Sequence, residues 1–460
     1  MTRRIVRRRL MGTFDMTLDA PRPARRVGSG SVQIALSFAA VVIAATVLLS
    51  TEYTSTGEPG SVLEGLFTAV SAISGTGLVV FDTQAQFNFA GEVVIALVIQ
   101  IGGLGYMLGV SMILWAIGGR LGLRDRQMLR LYYGIPTVQE AVRFLRLLAI
   151  YALACEVIGA VALWYGFWQS GVDGQTAIWW GIFHSISSFN EAGFNLTGQD
   201  LLPWADDPFV LVPSAILAVL GAIGALPMLL LLQTRGRRLP LDARVILGGT
   251  LLLLGIGWAF IGIGEWANEL TLGGVEATDR PLLALEQSAM WATGFSAVPT
   301  AELNDHTKFF LVGMMFVGGA AGSAAAGIKI GAFLLLLATM IATFRGREQV
   351  TMLGREVPFI VVRQAMALAL GLVGFIFALV VALLAVSDLP TLDVVFDAVS
   401  ACANVGWTPV ATAEWGTAGR SLLILGMLVG RFGPLVMVLE MTYPRAQAPY
   451  RYPEEGIRLG

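Results

Sequence analysis

The sequence predicts an all-α polytopic membrane protein: four parallel membrane–pore-loop–membrane repeats, with eight spans and four re-entrant half-helices, around a central ion pathway. Two observations predict this fold. Of the 460 residues, 56% are hydrophobic and only 13% are charged, whereas a soluble protein carries about 25% charged residues. In addition, four short stretches between long apolar segments each end in a glycine followed by a large apolar residue, at Gly77, Gly193, Gly294 and Gly406.

The apolar segments are long enough to cross a bilayer. About 20 helical residues are needed to span roughly 30 Å of hydrocarbon. Candidate spans lie near residues 33–50, 91–118, 146–168, 208–233, 245–264, 307–344, 359–386 and 419–440. The stretch at 307–344 is too long and too rich in glycine to be one plain helix, so we expect an interruption within it.

Positive charge is distributed as eight spans require. With a cytoplasmic N-terminus, 25 of the 30 Lys and Arg residues precede the first span, follow the last span or lie in connectors on the inner side. Arg280, Lys308 and Arg420 alone fall in outer loops, and Lys329 and Arg431 fall inside spans. Because inner loops of membrane proteins are enriched in Lys and Arg, both termini are predicted to be cytoplasmic and the four glycine-ended loops to be on the outer side.

The four units follow one another at similar intervals. The glycines that end the loops are 116, 101 and 112 residues apart. An even number of spans separates the units, so they share one direction and are parallel rather than inverted repeats. The predicted divisions are a cytoplasmic N-terminal arm (1–29), repeat 1 (30–119), a cytoplasmic connector (120–140), repeat 2 (141–235), repeat 3 (242–344) with an intramembrane loop (318–329), repeat 4 (357–441) and a cytoplasmic tail (442–460).

The loop segments are too short to span and too apolar for a solvated loop. We predict half-helices at 63–75, 179–189, 282–292 and 392–403 that enter the membrane and return. Irregular backbone at membrane depth is tolerated where it lines a water-filled path or is buried in protein, and its carbonyl groups can replace water around a cation. The candidate ion-binding residues are Ser74, Gly75, Thr76, Gly77, Asn190, Glu191, Ala192, Gly193, Trp291, Ala292, Thr293, Gly294, Ala403, Asn404, Val405 and Gly406.

The interruption expected in the sixth span contains five residues that weaken a helix, and two cations lie at membrane depth. Each interior glycine costs about 1 kcal/mol relative to alanine, and an intramembrane charge is by default a functional hypothesis. Lys329 and Arg431 could instead extend to an interface, and both readings stay open at this stage. The residues concerned are Gly318, Gly319, Gly322, Ser323, Gly327, Lys329 and Arg431.

Several short sequence motifs resemble those of a known family. They are Phe67-Thr-Ala-Val-Ser-Ala-Ile with Thr76-Gly77-Leu78, Gln100-Ile-Gly-Gly-Leu-Gly105, Phe183-His-Ser-Ile-Ser-Ser-Phe-Asn190, Gly327-Ile328-Lys329 and Gly430-Arg-Phe-Gly-Pro-Leu435. Over about 30–441 the chain resembles the Trk/Ktr/HKT superfamily of potassium transporters, and within it the bacterial TrkH/KtrB-type membrane subunits.

The resemblance implies a function for each feature. Gly77, Gly193, Gly294 and Gly406 match the family's four filter glycines, and a glycine at the first position implies potassium as the transported ligand, with sodium possible and no covalent cofactor. The interrupted span implies a gate that Arg431 contacts. Homodimers, a cytosolic nucleotide-binding regulatory subunit of the TrkA/KtrA type and a bacterial plasma (inner) membrane location are also implied.

Two positions depart from the family pattern. Glu191 stands where relatives usually have an amide, and its carboxylate could attract cations at the mouth or pair with a neighbouring donor. Trp291 stands near a position where Arg or Thr is common, and its bulk could wall the mouth. His184 is expected to be a hydrogen-bonded packing residue. Neither Cys155 nor Cys402 indicates a disulfide or a metal site.

Other functions receive less support from the sequence. A secondary transporter of another small cation or solute, sodium-permeable or ion-coupled, is the alternative, but four equivalent outer loops favour a channel-like pathway. An enzyme is not expected, because the chain has two histidines and no nucleophile–base constellation. No basic stripe indicates nucleic acid as a partner, so the lipid bilayer is the expected environment.

Overall fold

The computed structural model describes residues 28–103, 138–234 and 239–442. Most of the predicted N-terminal arm and the first connector, the far end of the second predicted span and nearly all of the C-terminal tail lie outside the described residues. The helices of the described chain are α1 (Gly28–Leu49), α2 (Val62–Ser74), α3 (Thr83–Gln86), α4 (Phe89–Gly103), α5 (Val138–Gln169), α6 (Gly174–Phe189), α7 (Pro208–Ile223), α8 (Ala225–Thr234), α9 (Leu241–Glu265), α10 (Arg280–Ala289), α11 (Asp305–Phe316), α12 (Ile330–Phe344), α13 (Phe359–Leu384), α14 (Thr391–Ala403) and α15 (Thr417–Thr442).

Within the described residues, three helices are long and apolar enough to cross a bilayer. They are the Arg146–Gln169 part of α5, together with α9 and α13. The pair α7 and α8 would make a fourth if it is counted as one bent span. Large apolar side chains on α13, such as Leu370 and Phe377, are exposed, which suits a surface in contact with lipid. The chain is therefore a helical membrane protein.

The apolar stretch at 208–233, predicted as a span, is divided into two helices by a bend. The chain bends by 94° between α7 and α8, and Gly224 at the bend has a φ of +75°, in the range that favours glycine. Pro227 is the third residue of α8, within the first turn, where a missing backbone N–H leaves no helical bond unmade. The Gly224 and Pro227 pair was thus a helix-break signal inside an apolar run.

The apolar stretch at 307–344 is interrupted, as its length and its glycines predicted. Helix α11 ends at Phe316 and α12 begins at Ile330. Between them, β1 (Val317–Gly318) and β2 (Ile328–Lys329) pair in parallel. A second small sheet joins β3 (Thr351–Met352) and β4 (Arg355–Glu356), which are antiparallel. We call residues 317–329 the intervening segment.

The short helices α2, α6, α10 and α14 each pack on one or two longer helices, and the resulting groups touch in a closed cycle. Helix α2 packs on α1 and α4, α6 on α5 and α7, α10 on α9, and α14 on α13 and α15. Contacts between α4 and α6, α7 and α10, α11 and α14, and α15 and α2 join one group to the next. The fourth group therefore returns to the first, and the ends of the short helices lie inside.

The core of the protein surrounds the short helices. In α2, every residue from Phe67 to Ser74 is buried, and in α14 every residue from Phe396 to Ala403 is buried. Two large apolar clusters pack around these ends, one across α5 to α11 and α14, the other across α1, α2, α4, α6 and α13 to α15. Dense packing around the ends of the short helices fixes the backbone of the turns that follow them.

Candidate functional site

Three of the four short helices end in the same hydrogen-bonded turn. The N–H of the residue before each glycine donates to the carbonyl of the serine five residues earlier: Thr76 to Ser71 at 2.9 Å, Ala192 to Ser187 at 2.8 Å, and Val405 to Ser400 at 2.9 Å. A second bond runs inside the first, from Gly75 to Ala72, Glu191 to Ser188, and Asn404 to Ala401. This nested pair is the Schellman motif, which requires a left-handed residue after the helix.

The left-handed residue is different in each of these turns. It is Gly75 with a φ of +67°, Glu191 with +57°, and Asn404 with +52°. Glycine and asparagine adopt this conformation readily, whereas for other L-residues it costs roughly 1–2 kcal/mol. Glu191 is therefore held in a conformation that its own chemistry disfavours, and such strain clusters at functional sites.

The third turn has a different shape. Ala292 and Gly294 keep φ outside the left-handed region, and Thr293 N–H donates to the carbonyl of Met290 at 3.0 Å. The indole N–H of Trp291 donates to the carbonyl of Val317 at 2.9 Å. The buried Trp291 side chain thus joins this turn to the start of the intervening segment.

The four glycines contact one another in cyclic order. A Cβ atom added to Gly77 would lie 2.6 Å from the Ala192 carbonyl oxygen, and one on Gly193 would lie 2.4 Å from the Cα of Gly294. A Cβ on Gly294 would lie 3.1 Å from the Val405 carbonyl oxygen, and one on Gly406 would lie 1.9 Å from that of Thr76. The structure therefore brings all four predicted glycines together, with no space for side chains between them.

Backbone carbonyl groups occupy the spaces between the turns. In three of the four contacts the neighbour of a glycine is the carbonyl oxygen of the residue that precedes another of the glycines: Thr76, Ala192 and Val405. Carbonyl oxygens are ligands that suit alkali and alkaline-earth cations. Carbonyl oxygens are also the groups that replace water around a cation in selectivity filters.

Side-chain hydrogen bonds connect the first turn to the fourth. Thr76 Oγ1 is bonded to Ser74 Oγ at 2.6 Å and accepts from Asn404 Nδ2 at 2.8 Å. Asn404 Nδ2 also donates to the carbonyl of Met427 on α15 at 3.0 Å. The indole N–H of Trp407 donates to the carbonyl of Phe295 at 2.7 Å, which joins the fourth turn to the third.

Glu191 lies inside the protein near two cations. Its side chain is buried, and neither carboxylate oxygen has a hydrogen-bond partner among the described residues. Arg431 and Lys329 are the cations that act on it electrostatically. Of the two readings that the sequence left open for Glu191, pairing with a hydrogen-bond donor finds no support among the described residues.

Three further glycines form a repeated feature that was not among the sequence predictions. Gly102, Gly221 and Gly430 each lie in a long helix against the end of a short one. A Cβ on them would approach the carbonyl oxygens of Ile73, Phe189 and Cys402 to 1.9, 2.0 and 2.0 Å. Each of those carbonyls belongs to the residue four positions before a ring glycine. The signal was available as a glycine 24 to 28 residues after the ring glycine in each of these units.

The intervening segment folds back on itself. The Ile330 N–H donates to the carbonyl of Gly319 at 3.1 Å, and a Cβ on Gly318 would lie 1.5 Å from the Ala326 carbonyl oxygen. Gly322 and Gly327 have φ values of +80° and +69°. Glycines are therefore needed for the conformation of the segment as well as for its close packing.

The bend between α7 and α8 receives the intervening segment. Ala320 N–H donates to the carbonyl of Ala222 at 2.8 Å, which occupies an acceptor left free where α7 ends. A Cβ on Gly224 would lie 3.2 Å from the Cα of Ser323. The helix break that the sequence analysis missed thus belongs to the same local structure as the interruption that it predicted.

Lys329 and Arg431 both donate to carbonyl oxygens of this segment. Lys329 Nζ donates to Ala325 O. Arg431 Nη1 donates to Ala324 O, and its Nη2 donates to Gly102 O on α4 at 2.7 Å. An Arg has five donors in a planar fork and can satisfy several carbonyls together. These three hydrogen bonds hold both side chains against backbone carbonyls.

His184 is a packing residue, as predicted. Its Nδ1 is 2.8 Å from the carbonyl of Trp180, and its Nε2 accepts from the N–H of Leu196 at 3.4 Å. Its ring stacks on Phe295 with 5.7 Å between centroids. Hydrogen bonds at both nitrogens fix a neutral tautomer, with the proton on Nδ1.

These features define a helical membrane protein in which four buried helix ends meet at a ring of glycines beside an interrupted helix. The sequence model of the TrkH family, described as a cation transport protein, matches residues 19–244 and 249–448. The chain therefore belongs to the TrkH family of cation transport proteins, among the membrane subunits of the Trk/Ktr superfamily.

Relatives and a solved structure agree with this assignment. The chain is 32% identical to the Ktr system potassium uptake protein B of Bacillus subtilis (strain 168), covering 97% of this chain and 100% of that protein. It is 28% identical to the potassium/sodium uptake protein NtpJ of Enterococcus hirae, covering 97% and 100%. Its fold matches the crystal structure of the potassium transporter TrkH from Vibrio parahaemolyticus with a TM-score of 0.69 and 17% identity, covering 93% of this chain and 87% of that one.

Proposed function

We propose that the protein takes up potassium across a bacterial plasma membrane through a selectivity filter formed by its four turns. The observation that carries the proposal is the closed ring of Gly77, Gly193, Gly294 and Gly406 with carbonyl oxygens between them. A potassium ion loses most of its water on entering such a ring, and carbonyl groups replace that water. Relatives named potassium uptake proteins support this choice of ion.

In this proposal the chain forms four membrane–pore-loop–membrane units around one pathway, with the predicted boundaries 30–119, 141–235, 242–344 and 357–441. The cyclic contacts between the helix groups support this arrangement. The third unit contributes a turn of different shape, so the filter has only approximate fourfold symmetry. No step of the transport requires bond making or breaking by the protein, in keeping with a transporter that is not an enzyme.

The intervening segment is the proposed gate. It is held by carbonyl contacts from Lys329 and Arg431 and by the bend at Gly224. Because Arg431 also donates to α4, it joins the segment to a helix of the first unit. Loss of these few contacts would free the segment without unfolding the four turns, which is what a gate requires.

Sodium permeation is the second candidate. One relative of similar coverage is named a potassium/sodium uptake protein, and Glu191 adds a carboxylate close to the second turn. An ion-coupled secondary transporter would need a second site, for the other solute, whose affinity differs between two conformational states. The ring of glycines offers no such second site. Potassium therefore remains the favoured ion.

The membrane arrangement and partners are also proposals. Positive charge on the predicted inner side supports cytoplasmic termini. The relatives' names refer to a Ktr system, which suits a homodimer that works with a cytosolic nucleotide-binding regulatory subunit of the TrkA/KtrA type.

Complementation tests the proposal. The wild-type chain should restore growth of a potassium-uptake-deficient bacterium at limiting potassium. Gly77→Ser should retain growth only at higher potassium and admit more sodium, because a side chain at this position must displace the Ala192 carbonyl. Failure of the wild-type chain to rescue growth, despite its presence in the membrane, would contradict potassium uptake. An unchanged potassium/sodium preference in the variant would contradict the assignment of Gly77 to the filter.

A further inference from the structure

Glu156 is a carboxylate in the middle of an apolar helix. It is the only acidic residue in the Arg146–Gln169 stretch of α5, and 6% of its surface is exposed. A charged or polar group at such a position is expensive and calls for a functional explanation. Neither the ring of glycines nor the intervening segment includes this residue.

The carboxylate is held by two amide side chains from other helices. Its Oε1 accepts from Gln100 Nε2 at 2.8 Å and from Asn190 Nδ2 at 3.0 Å. Asn190 Nδ2 also lies 3.3 Å from Gln100 Oε1. The Glu156 backbone carbonyl accepts from Ser185 Oγ on α6 at 2.7 Å. The cluster therefore joins α4 and α5 to the end of α6.

Asn190 is the point where this cluster reaches the second turn. It caps α6 immediately before Glu191, and its carbonyl oxygen lies 3.2 Å from where a Cβ on Gly75 would be. Its side chain is pressed against α4, since a Cβ on Gly103 would lie 2.2 Å from Asn190 Oδ1. A shift of Asn190 therefore changes the spacing between the first two turns.

We propose that Glu156 is a positioning residue for ion selection: it holds Asn190, and through it sets the spacing between the first and second turns. The proposal rests on the proposed function, since it assumes that these turns select the ion. A carboxylate suits the positioning of Asn190 because both of its oxygens accept hydrogen bonds. It has no donor group that could face the N–H groups of the two amides. Discrimination between potassium and sodium depends on the positions of carbonyl ligands.

The test compares potassium and sodium uptake by the full chain in proteoliposomes, with both ions present in competition. Glu156→Leu removes the acceptor that Gln100 Nε2 and Asn190 Nδ2 share. Asn190 Nδ2 keeps its bond to the Ile186 carbonyl at 2.9 Å but loses its link to α5, so the potassium/sodium uptake ratio should fall about tenfold. Glu156→Gln retains an oxygen that can accept from both amides, so its ratio should stay within about threefold of wild type.

A matched control is available between α4 and α6, two of the three helices that the Glu156 cluster joins. Glu92 on α4 is also buried and accepts from the indole N–H of Trp179 on α6 at 2.6 Å, but near the start of α6 rather than at the turn. Glu92→Leu therefore removes a comparable contact between α4 and α6 and should leave the ratio unchanged. If Glu156→Leu does not reach the membrane, Gln100→Leu replaces it, with a smaller fall in the ratio expected.

The outcomes separate this inference from the function on which it rests. A wild-type chain with no preference for potassium would contradict the proposed filter, and the inference with it. If the wild type prefers potassium but Glu156→Leu has the same potassium/sodium uptake ratio, the role of Glu156 is overturned and the proposed filter is not. Gln100→Leu is judged in the same way if Glu156→Leu does not reach the membrane. The role would also be overturned by an equal loss of selectivity in Glu92→Leu or in Glu156→Gln.

Discussion

Alanine at each ring glycine should damage transport to a degree that the geometry ranks. A Cβ on Gly406 would lie 1.9 Å from the Thr76 carbonyl oxygen, and real Cβ contacts are rarely under 3.4 Å, so the two atoms must separate by about 1.5 Å in a close-packed interior. Its φ of +104° adds strain, roughly 1–3 kcal/mol for a non-glycine residue. At Gly294 the closest carbonyl oxygen is 3.1 Å away and φ is ordinary.

These differences in close contact and backbone strain predict different losses in the rate of potassium uptake. Since about 1.4 kcal/mol corresponds to a tenfold change, Gly406→Ala should lower the initial rate of potassium uptake roughly 10- to 100-fold. Gly294→Ala should cost less than about threefold by the same conversion. Gly193→Ala and Gly77→Ala should fall between them, because their closest contacts are 2.4 and 2.6 Å.

The assay is potassium uptake into proteoliposomes, normalised to the amount of folded protein. Gly313→Ala is the control, since no atom lies within 4 Å of a Cβ at this position on α11, and it should transport as the wild type does. Equal losses at all four ring glycines, or the largest loss at Gly294, would refute the reasoning from ring geometry.

Three further predictions concern the intervening segment and the loop between α6 and α7. Arg431→Ala should change the uptake rate more than the amount of protein in the membrane; equal losses in a flux assay and an immunoblot would indicate a folding role. Gly224→Ala should displace the segment from the helix bend and raise basal uptake without a regulatory partner; unchanged or reduced flux would contradict the bend as its docking point. Burial raises the pKa of Asp200 well above the ordinary Asp value, despite hydrogen bonds from the N–H groups of Ser296 and Leu201. The folded state therefore disfavours the carboxylate, and its stabilising contribution, complete below the ordinary pKa, is lost as pH rises through the raised one. Asp200→Asn should remove part of the fall in melting temperature on raising the pH; an identical pH profile in both proteins would contradict this.

The sequence predicted the turns because each is a local feature. In each unit, about a dozen positions contain an apolar segment long enough for a short helix, then small or polar residues, then a glycine. The short helices α2, α6, α10 and α14 could therefore be expected before any contact was known. The interruption between α11 and α12 was predictable for the same reason, since its glycines are close together in the chain. Lys329 and Arg431 stood out because a cation in an apolar run is rare.

Features whose meaning depends on distant partners were not predictable from the sequence. Gly102, Gly221 and Gly430 matter because each lies against the carbonyl of a helix that precedes it by 28 to 32 residues. Glu156 matters because Gln100 and Asn190, 56 and 34 residues away, converge on it. Hydropathy also hid the bend at Gly224, because the residues on both sides are uniformly apolar.

Anomalous scattering from thallium, a heavy substitute for potassium, tests the central claim most directly. In crystals of the protein grown with thallium, the account predicts an anomalous peak on the axis of the glycine ring, within about 3 Å of the carbonyl oxygens of Thr76, Ala192 and Val405. The peak should weaken when potassium is added in excess and should be lost in Gly406→Ala. An empty ring, with the ion bound elsewhere in the membrane, would contradict the account.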